Sequence, residues 1–215
     1  VQNCSDISVS DNSFDSNFIF GIGTQNSTHN LISGNNIVGS FLGIRLEFSA
    51  STIITENRVE DNFFGISIQG LSEPNKIFHN NFIGNEVQAR IWVSKSVWDN
   101  GYSSGGNYWS NYKGADRFSG VNQDVAGCDG IGDIPFVIDD LNIDRYPLMS
   151  EWRKTLPMDL NKDGVVDMLD LWFVARAFGS EPGDLNWNPS VDFDGNGVIN
   201  IVDLTLVALQ IGKTS

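Results

Sequence analysis

Two stretches near the end of the chain carry oxygen-bearing side chains at the same short intervals. They begin at Asp159 and Asp192, an offset of 33 residues, and each has Asp or Asn at loop positions 1, 3, 5, 9 and 12 and glycine at position 6. Calcium takes roughly six to eight oxygens at about 2.4 Å, and this spacing wraps one ion, with position 7 offering its carbonyl oxygen. So many carboxylates in one loop would repel one another without a cation. We therefore predict two calcium ions, with ligands from Asp159, Asn161, Asp163, Val165, Asp167 and Asp170 and from Asp192, Asp194, Asn196, Val198, Asn200 and Asp203.

The two loops differ from a standard EF-hand in ways that suggest a family. Position 12 is Asp170 or Asp203 where EF-hands have glutamate, and a predicted helix follows each loop without a matching helix before it. These features, the duplication and the C-terminal position resemble type I dockerins over residues 159–180 and 192–213. An acidic solvated loop is the alternative, which two matches in register disfavour. The resemblance implies a small all-α EF-hand-like module with a cohesin-like domain as its partner.

The resemblance also implies which residues meet that partner, namely those at loop positions 10 and 11 and on the following helix. They are Met168, Leu169, Trp172 and Arg176 in the first copy and Ile201, Val202, Thr205 and Leu209 in the second. Cellulosomal type I dockerins often have hydroxyl pairs at positions 10 and 11, so the apolar residues here leave the partner's identity open. The opposite helix faces are predicted to form the core of the module, through Leu171, Val174, Phe178, Leu204, Val207 and Ile211. Helices that are apolar on nearly all sides leave an exposed patch, which usually marks a protein contact.

A second repeat, of 22 or 23 residues, runs from residue 3 to about residue 110. Asn12, Asn35, Asn57 and Asn80 mark its period, and apolar residues alternate around each asparagine as they do in strands. Four apolar columns are in register: Val9, Ile32, Ile54, Ile77; Phe14, Ile37, Val59, Phe82; Phe20, Leu42, Phe64, Val87; and Ile22, Ile44, Ile66, Ala89. One repeat cannot bury its own apolar face, whereas stacked repeats can. The pattern predicts a mainly β fold, a right-handed parallel β-helix solenoid with an asparagine ladder, and disfavours an antiparallel sandwich.

The segments after the fourth repeat carry a second resemblance. WDNGYSSGGNYWSNYKG at 98–114, DGIGDIPFVID at 129–139 and NIDRYPL at 142–148 resemble the C-terminal end of NosD-type β-helix proteins. That family's wider grouping contains sugar-binding proteins and sugar hydrolases, so the fold alone implies no single activity. The family also includes a periplasmic copper-maturation factor, and copper would need clusters of His, Met or Cys. His29 and His79 are far apart and are predicted to be turn residues.

One outer face of the predicted solenoid could hold a sugar. Arg45, Glu47, Gln69, Arg90 and Trp92 fall on outward positions of successive coils. A glycosidase would need two carboxylates about 5 to 9.5 Å apart, and Glu47 stands alone there. The alternatives are an ordinary solvated face, polysaccharide binding, or a polysaccharide lyase or glycosidase whose active site lies mostly upstream. The lone carboxylate favours a non-catalytic protein.

Charge and composition restrict the partners further. The chain has 13 basic and 27 acidic residues, a net charge of −14, which disfavours nucleic acid. No apolar run reaches the roughly 18 residues of a membrane span. We expect an extracellular or cell-surface protein with any targeting segment upstream of Val1, and a solenoid that either continues upstream or stacks on another copy of itself.

The expected domains are a β-helix at 1–150, a short linker at 151–157 and the dockerin-like module at 158–215. Cys4 and Cys128 would lie about four coils, roughly 19 Å, apart, and are predicted to stay unpaired.

Overall fold

Four coils of three short strands form the first part of the computed structural model, which describes residues 1–72, 74–154 and 156–214. The coils contain, in order, β1 (Ser8–Ser10), β2 (Ser13–Asp15) and β3 (Phe20–Gln25); β4 (Leu31–Ser33), β5 (Asn36–Val38) and β6 (Leu42–Glu47); β7 (Ile53–Thr55), β8 (Arg58–Glu60) and β9 (Phe64–Gln69); β10 (Lys76–Phe78), β11 (Asn81–Ile83) and β12 (Val87–Ile91). Each strand pairs in parallel with its counterpart one coil away, which gives three sheets. The predicted parallel β-solenoid is confirmed.

The register of the strands is the one that the sequence columns predict. Ile32 pairs with Val9 and Ile54, Ile37 with Phe14 and Val59, and Ile44 with Ile22 and Ile66. Each apolar side chain therefore rests on its equivalent in the next coil, and these columns form one continuous core.

The Phe20 column is different, because its side chains do not join the continuous core, although Leu42 and Phe64 are themselves buried. A Cβ atom at Gly21 would approach the core atom Ile37 Cγ2 to 2.5 Å, so Gly21 faces inward, while the ring of Phe20 lies beside Gly23 on the outer face. At Gly43 a Cβ would meet Gly65 O at 2.5 Å and Val59 Cγ1 at 2.8 Å. The recurring glycine thus lets the chain turn inward after each outward Phe or Leu. The expectation that Phe20 lies in core register was therefore wrong.

An asparagine ladder runs along the stack. The backbone N–H and the side-chain Nδ2 of each asparagine donate to Oδ1 of the next one, at 2.9–3.2 Å, from Asn12 through Asn35, Asn57 and Asn80 to Asn107. The left-handed residue of each turn is the one before the asparagine, for example Glu56 (φ 61°) and His79 (φ 57°). The ladder is confirmed, and His79, like His29 (φ 56°), is a turn residue.

Residues 98–152 complete this first unit. They contribute the short strands β13 (Tyr108–Trp109), β14 (Phe118–Ser119), β15 (Val125–Ala126), β16 (Phe136–Val137) and β17 (Ile143–Asp144). Trp109 stacks on Phe82 at 4.6 Å and on Phe136 at 4.5 Å between ring centroids, so aromatic rings extend the second core column beyond the last coil. Asp144 accepts hydrogen bonds from Asn107 N and Trp109 Nε1 and terminates the asparagine ladder. The C-terminal end of the solenoid is therefore capped.

The chain divides into two compact units, Val1–Trp152 and Arg153–Ser215. Glu151 and Trp152 belong to the first, since Glu151 pairs with Arg58 and Trp152 exchanges two hydrogen bonds with Asn81. The second unit contains α1 (Met168–Arg176), a 3-10 turn (Pro189–Val191) and α2 (Ile201–Ala208). Neither helix has the length or apolarity to cross a membrane, as far as the described residues go. Cys4 and Cys128 are free thiols, both exposed.

Candidate calcium loops and docking surface

The first residue of each oxygen-rich loop closes that loop through backbone amides. Asp159 accepts from Asp163 N at 3.2 Å and from Gly164 N at 2.8 Å. Asp192 makes the equivalent bonds with Asn196 N at 3.2 Å and Gly197 N at 2.9 Å. Gly164 and Gly197 have φ of 93° and 83°, a left-handed conformation that favours glycine, so the sixth position turns the loop as the spacing predicts.

The last residue of each loop is a fully buried carboxylate. Asp170 accepts from Leu160 N at 2.7 Å and from Asp167 N at 2.8 Å, and Asp203 accepts from Phe193 N and Asn200 N, both at 2.8 Å. Within the described ranges, neither carboxylate forms an ion pair with a basic side chain. A buried charge is costly unless it is paired or coordinates a metal. A cation held in the loop would compensate the charge of such a carboxylate.

Position 9 of each loop is also the N-cap of the helix that follows. The side chain of Asp167 accepts from Leu169 N, and that of Asn200 accepts from Val202 N. Asp170 and Asp203 stand at the third helical position and bond back to the N-cap amide, which completes a capping box. The aspartate at position 12, unusual for an EF-hand, is thus shared between the loop and the start of the helix.

The second loop brings its carboxylates within reach of one ion. Oxygen atoms of Asp192, Asp194 and Asp203 lie within 4.8 Å of one another, about twice a calcium–oxygen distance. In the first loop, Asn161 Nδ2 donates to Asp163 Oδ2 at 2.7 Å, which places these two side chains next to each other. All ligand types in both loops are hard oxygen donors, which fit calcium.

Each helix of the second unit carries a group of exposed apolar side chains. Met168, Leu169 and Trp172 are exposed on α1, and Ile201, Val202 and Leu209 are exposed on or beside α2. Arg176 and Thr205 are exposed as well; Arg176 lies over the Trp172 ring at 4.7 Å, and Thr205 Oγ1 donates to Ile201 O. All eight residues implied to meet a partner thus lie at the surface.

The core of this unit differs in part from the sequence prediction. Val174 and Val207 are buried, and Leu171 and Leu204 pack against them, as predicted. Phe178 and Ile211 are exposed instead, and Val166, Ala177, Val191 and Ile199 fill the core. Val166 and Ile199 occupy loop position 8, so the loops supply part of the core that periodicity assigned to the helices.

The possible sugar-binding residues share one outer face of the solenoid. In the strand register of β6, β9 and β12, Arg45 lies opposite Ser67 and Ser67 lies opposite Arg90. Glu47 lies opposite Gln69 in the same register. Arg45 forms an ion pair with Glu47, whereas the Arg90 guanidinium lies over the Trp92 ring at 4.2 Å. Phe64 also belongs to this face, since its ring lies under Arg90; in the sequence the only sign of this is the glycine that recurs after it.

The fold and the loops together define a parallel β-solenoid protein with a duplicated, calcium-loop docking module. The chain belongs to the NosD family, whose profile, described as periplasmic copper-binding protein (NosD), matches residues 1–114. Residues 157–212 match the dockerin type I domain.

Two curated relatives are similar to the solenoid. A protein of Stutzerimonas stutzeri named probable ABC transporter binding protein NosD is 37% identical over 93 residues, 43% of this chain and 19% of its own length. The protein of the same name from Pseudomonas aeruginosa is 38% identical over 95 residues, 41% of this chain and 19% of its own length. The match therefore spans about a fifth of each relative. No solved structure gives a significant match.

Proposed function

We propose that the chain is a non-catalytic β-solenoid protein, secreted or displayed at the cell surface. Its dockerin attaches the solenoid to a cohesin-like domain in a calcium-dependent way. The observation that carries this proposal is the capping box, in which Asp170 and Asp203 each join a calcium loop to the start of a helix. The residues that immediately follow the N-caps, Met168 and Leu169 and their counterparts Ile201 and Val202, are exposed apolar side chains. Loop order and presentation of the docking residues are therefore linked.

Calcium would supply positive charge to loops that are otherwise crowded with negative oxygens. Asp159, Asn161, Asp163, Val165, Asp167 and Asp170 would hold one ion, and the second-loop equivalents Asp192, Asp194, Asn196, Val198, Asn200 and Asp203 the other. Asp167 and Asn200 each also use one side-chain oxygen as the N-cap acceptor of the following helix, so position 9 belongs to both the loop and the helix.

The docking contact should be largely apolar. Positions 10 and 11 contribute Met168, Leu169, Ile201 and Val202, whose side chains have no hydrogen-bond donor and no strong acceptor. Burial of such side chains yields roughly 25 cal/mol per Å² and is little affected by salt. The partner is then a domain with an apolar surface of matching size.

Copper binding, which the family description names, does not fit the residues present in the described part of this chain. His79 bonds through Nε2 to Ser104 O at 2.8 Å, and its ring stacks on Trp152. Across the described residues, the one group of three metal-ligating side chains is the aspartate set of the second loop. Hard carboxylate oxygens suit calcium and not copper.

The surface that we propose for docking can be tested with a charged double variant. Leu169→Glu with Val202→Glu should abolish capture of the full chain by a panel of immobilised cohesin domains, because each carboxylate would be buried in an apolar contact. Leu185→Glu is a matched control, since Leu185 is fully exposed between the loops and lies outside both groups of exposed apolar side chains.

Calcium binding by the double variant, measured by calorimetry, should stay as in the unmodified chain. Unchanged cohesin affinity in the double variant would contradict the proposed surface. Equal losses in the double variant and in Leu185→Glu would contradict it too.

A further inference from the structure

Arg90 contacts two aromatic rings on the outer face of the solenoid. Its guanidinium carbon is 5.0 Å from the centroid of the Phe64 ring and 4.2 Å from that of the Trp92 ring. Stacking of this kind fixes the plane of the guanidinium and leaves its edge N–H groups free. We propose that Arg90, with Phe64 and Trp92, binds the carboxylate of an acidic sugar, a uronate unit of a glycan. This inference goes beyond the proposed docking function and is independent of the docking module.

Arg90 differs from Arg45, the other arginine of this sheet, in having no ion-pair partner among the described residues. Arg45 pairs with Glu47, Arg58 with Glu60 and Glu151, and Arg145 with Asp99. Over residues 1–72, 74–154 and 156–214, no carboxylate lies within ion-pair distance of Arg90. Its donors are therefore available to an external carboxylate, which a guanidinium fork binds through two parallel hydrogen bonds.

Charge on this face is opposite to that of the whole chain. Strands β3, β6, β9 and β12 carry two arginines, Arg45 and Arg90, and one carboxylate, Glu47, a net of +1 against −14 for the chain. Because Arg45 and Glu47 neutralise each other, the uncompensated charge is that of Arg90. One acidic group fits this face, whereas a long polyanion would be repelled by the chain as a whole.

An aromatic surface adjoins Arg90. Phe41 and Phe63 are stacked at 5.2 Å between centroids, and Phe63 meets Phe64 edge to face at 4.7 Å. Phe41, Phe63 and Trp92 are each about half exposed. Sugar rings present flat apolar C–H faces together with polar edges, so a row of exposed rings next to a hydrogen-bond donor is complementary to them.

The test compares a short acidic oligosaccharide with an uncharged copy of itself. Trigalacturonate and its methyl ester share ring size and linkage, and the ester lacks the charges. Calorimetry on the full chain, at fixed free calcium and physiological salt, should show that the acid binds more tightly than the ester. Replacing Arg90 by Gln should lower the affinity for the acid by roughly tenfold, to that of the ester. Trp92→Ala should weaken the binding of both.

A matched control uses the other arginine stacked on a tryptophan. Arg176→Gln makes the same change of charge beside Trp172, and trigalacturonate affinity should be unchanged in it. The cohesin-defective Leu169→Glu, Val202→Glu chain should also keep sugar binding, so that failure of the docking proposal is separate from failure of this one. Near-UV circular dichroism would show that the Arg90 and Trp92 variants are folded.

Several results would overturn the inference. These are no measurable binding of trigalacturonate, equal binding of acid and ester, and unchanged affinity in Arg90→Gln. A dimer in light scattering that dissociates in Trp92→Ala would show instead that a second copy covers this face.

Discussion

At the scale of single residues, the asparagine ladder ties the coils together through buried amides. Asn57 accepts from Asn35 N at 3.0 Å and from Asn35 Nδ2 at 2.9 Å, and its own Nδ2 donates to Ile32 O, Thr55 O and Asn80 Oδ1. Removing such a side chain leaves several buried polar groups without partners, each costing about 1–3 kcal/mol.

We therefore predict that Asn57→Ala lowers the free energy of unfolding by about 3–5 kcal/mol. Asn12→Ala is the matched control, because Asn12 is exposed at the first coil and accepts no bond from a preceding asparagine among the described residues. Urea unfolding followed by tryptophan fluorescence would measure both. Equal small losses in the two variants would show that the ladder adds little.

The residue that ends the ladder should make the solenoid sensitive to pH. Burial raises the pKa of Asp144 from 3.8 to about 7, although hydrogen bonds from Asn107, Trp109 and Tyr146 oppose the shift. Between about pH 4 and about pH 7 the folded chain then keeps a proton that the unfolded chain has lost. The contribution of this group to stability therefore falls as pH rises through that window and is constant above it, a change on the order of a few kcal/mol.

The indole N–H of Trp109 reports this titration directly, since it donates to Asp144 Oδ2 at 2.9 Å. Its NMR shift should move with a midpoint near pH 7. The indole N–H of Trp98, which donates to Asn142 instead, is an internal control. A Trp109 signal that is flat from pH 5 to pH 8 would contradict the raised pKa of Asp144.

At the scale of elements, the helices of the second unit depend on the loops before them. Asp203 is fully buried, belongs to the capping box of α2 and lies with Asp192 and Asp194 in one cluster of oxygens. Loss of this side chain should affect the loop and the helix together.

Asp203→Ala should reduce the number of calcium ions bound by one and lower the far-UV helical signal, with a stability loss of about 1–3 kcal/mol. Asp184→Ala is the control, because Asp184 is an exposed carboxylate that lies outside both loops. Calorimetry and circular dichroism measure the two effects. If Asp203→Ala bound calcium as the unmodified chain does, Asp203 would not be a ligand.

How much the sequence predicts differs between elements for physical reasons. Strand register was predictable because stacked coils place equivalent residues on one another. The apolar columns that begin at Val9 and Phe14 therefore recur in the sequence at the repeat spacing. The outward turn of Phe20 was not, since it depends on Gly21 meeting Ile37 across the coil. The capping contacts of Asn142 and Asp144 come from a segment without repeats, and local pattern does not show where such a segment returns.

In the dockerin, too, local features were predictable from the sequence and tertiary contacts were not. Ligand spacing is local, so all twelve proposed calcium residues can be read from the sequence. The burial of Val166 and Ile199 in place of Phe178 and Ile211 is a tertiary result, because each loop forms backbone hydrogen bonds with the segment that follows the helix of the other loop. Gly179 N, for example, donates to Ile199 O, and Ile199 N donates to Ser180 O.

At the scale of the whole molecule, the two units stabilise themselves by different means. The solenoid has a continuous core, an asparagine ladder and a capped C-terminal end. The dockerin has a small core and two loops with buried carboxylates, Asp170 and Asp203, that lack basic partners among the described residues. Metal-binding energy becomes folding energy where no site exists in the unfolded chain. Removal of calcium should therefore unfold the second unit and leave the first one folded.

The central claim, that the dockerin is ordered by two calcium ions, is tested most directly by calorimetric titration of the chelator-stripped full chain with calcium, with the far-UV helical signal recorded alongside. We predict two ions bound per chain, and a helical signal that is low without calcium and complete when both sites are filled. Fewer than two ions, or a helical signal that is the same with and without chelator, would contradict the claim.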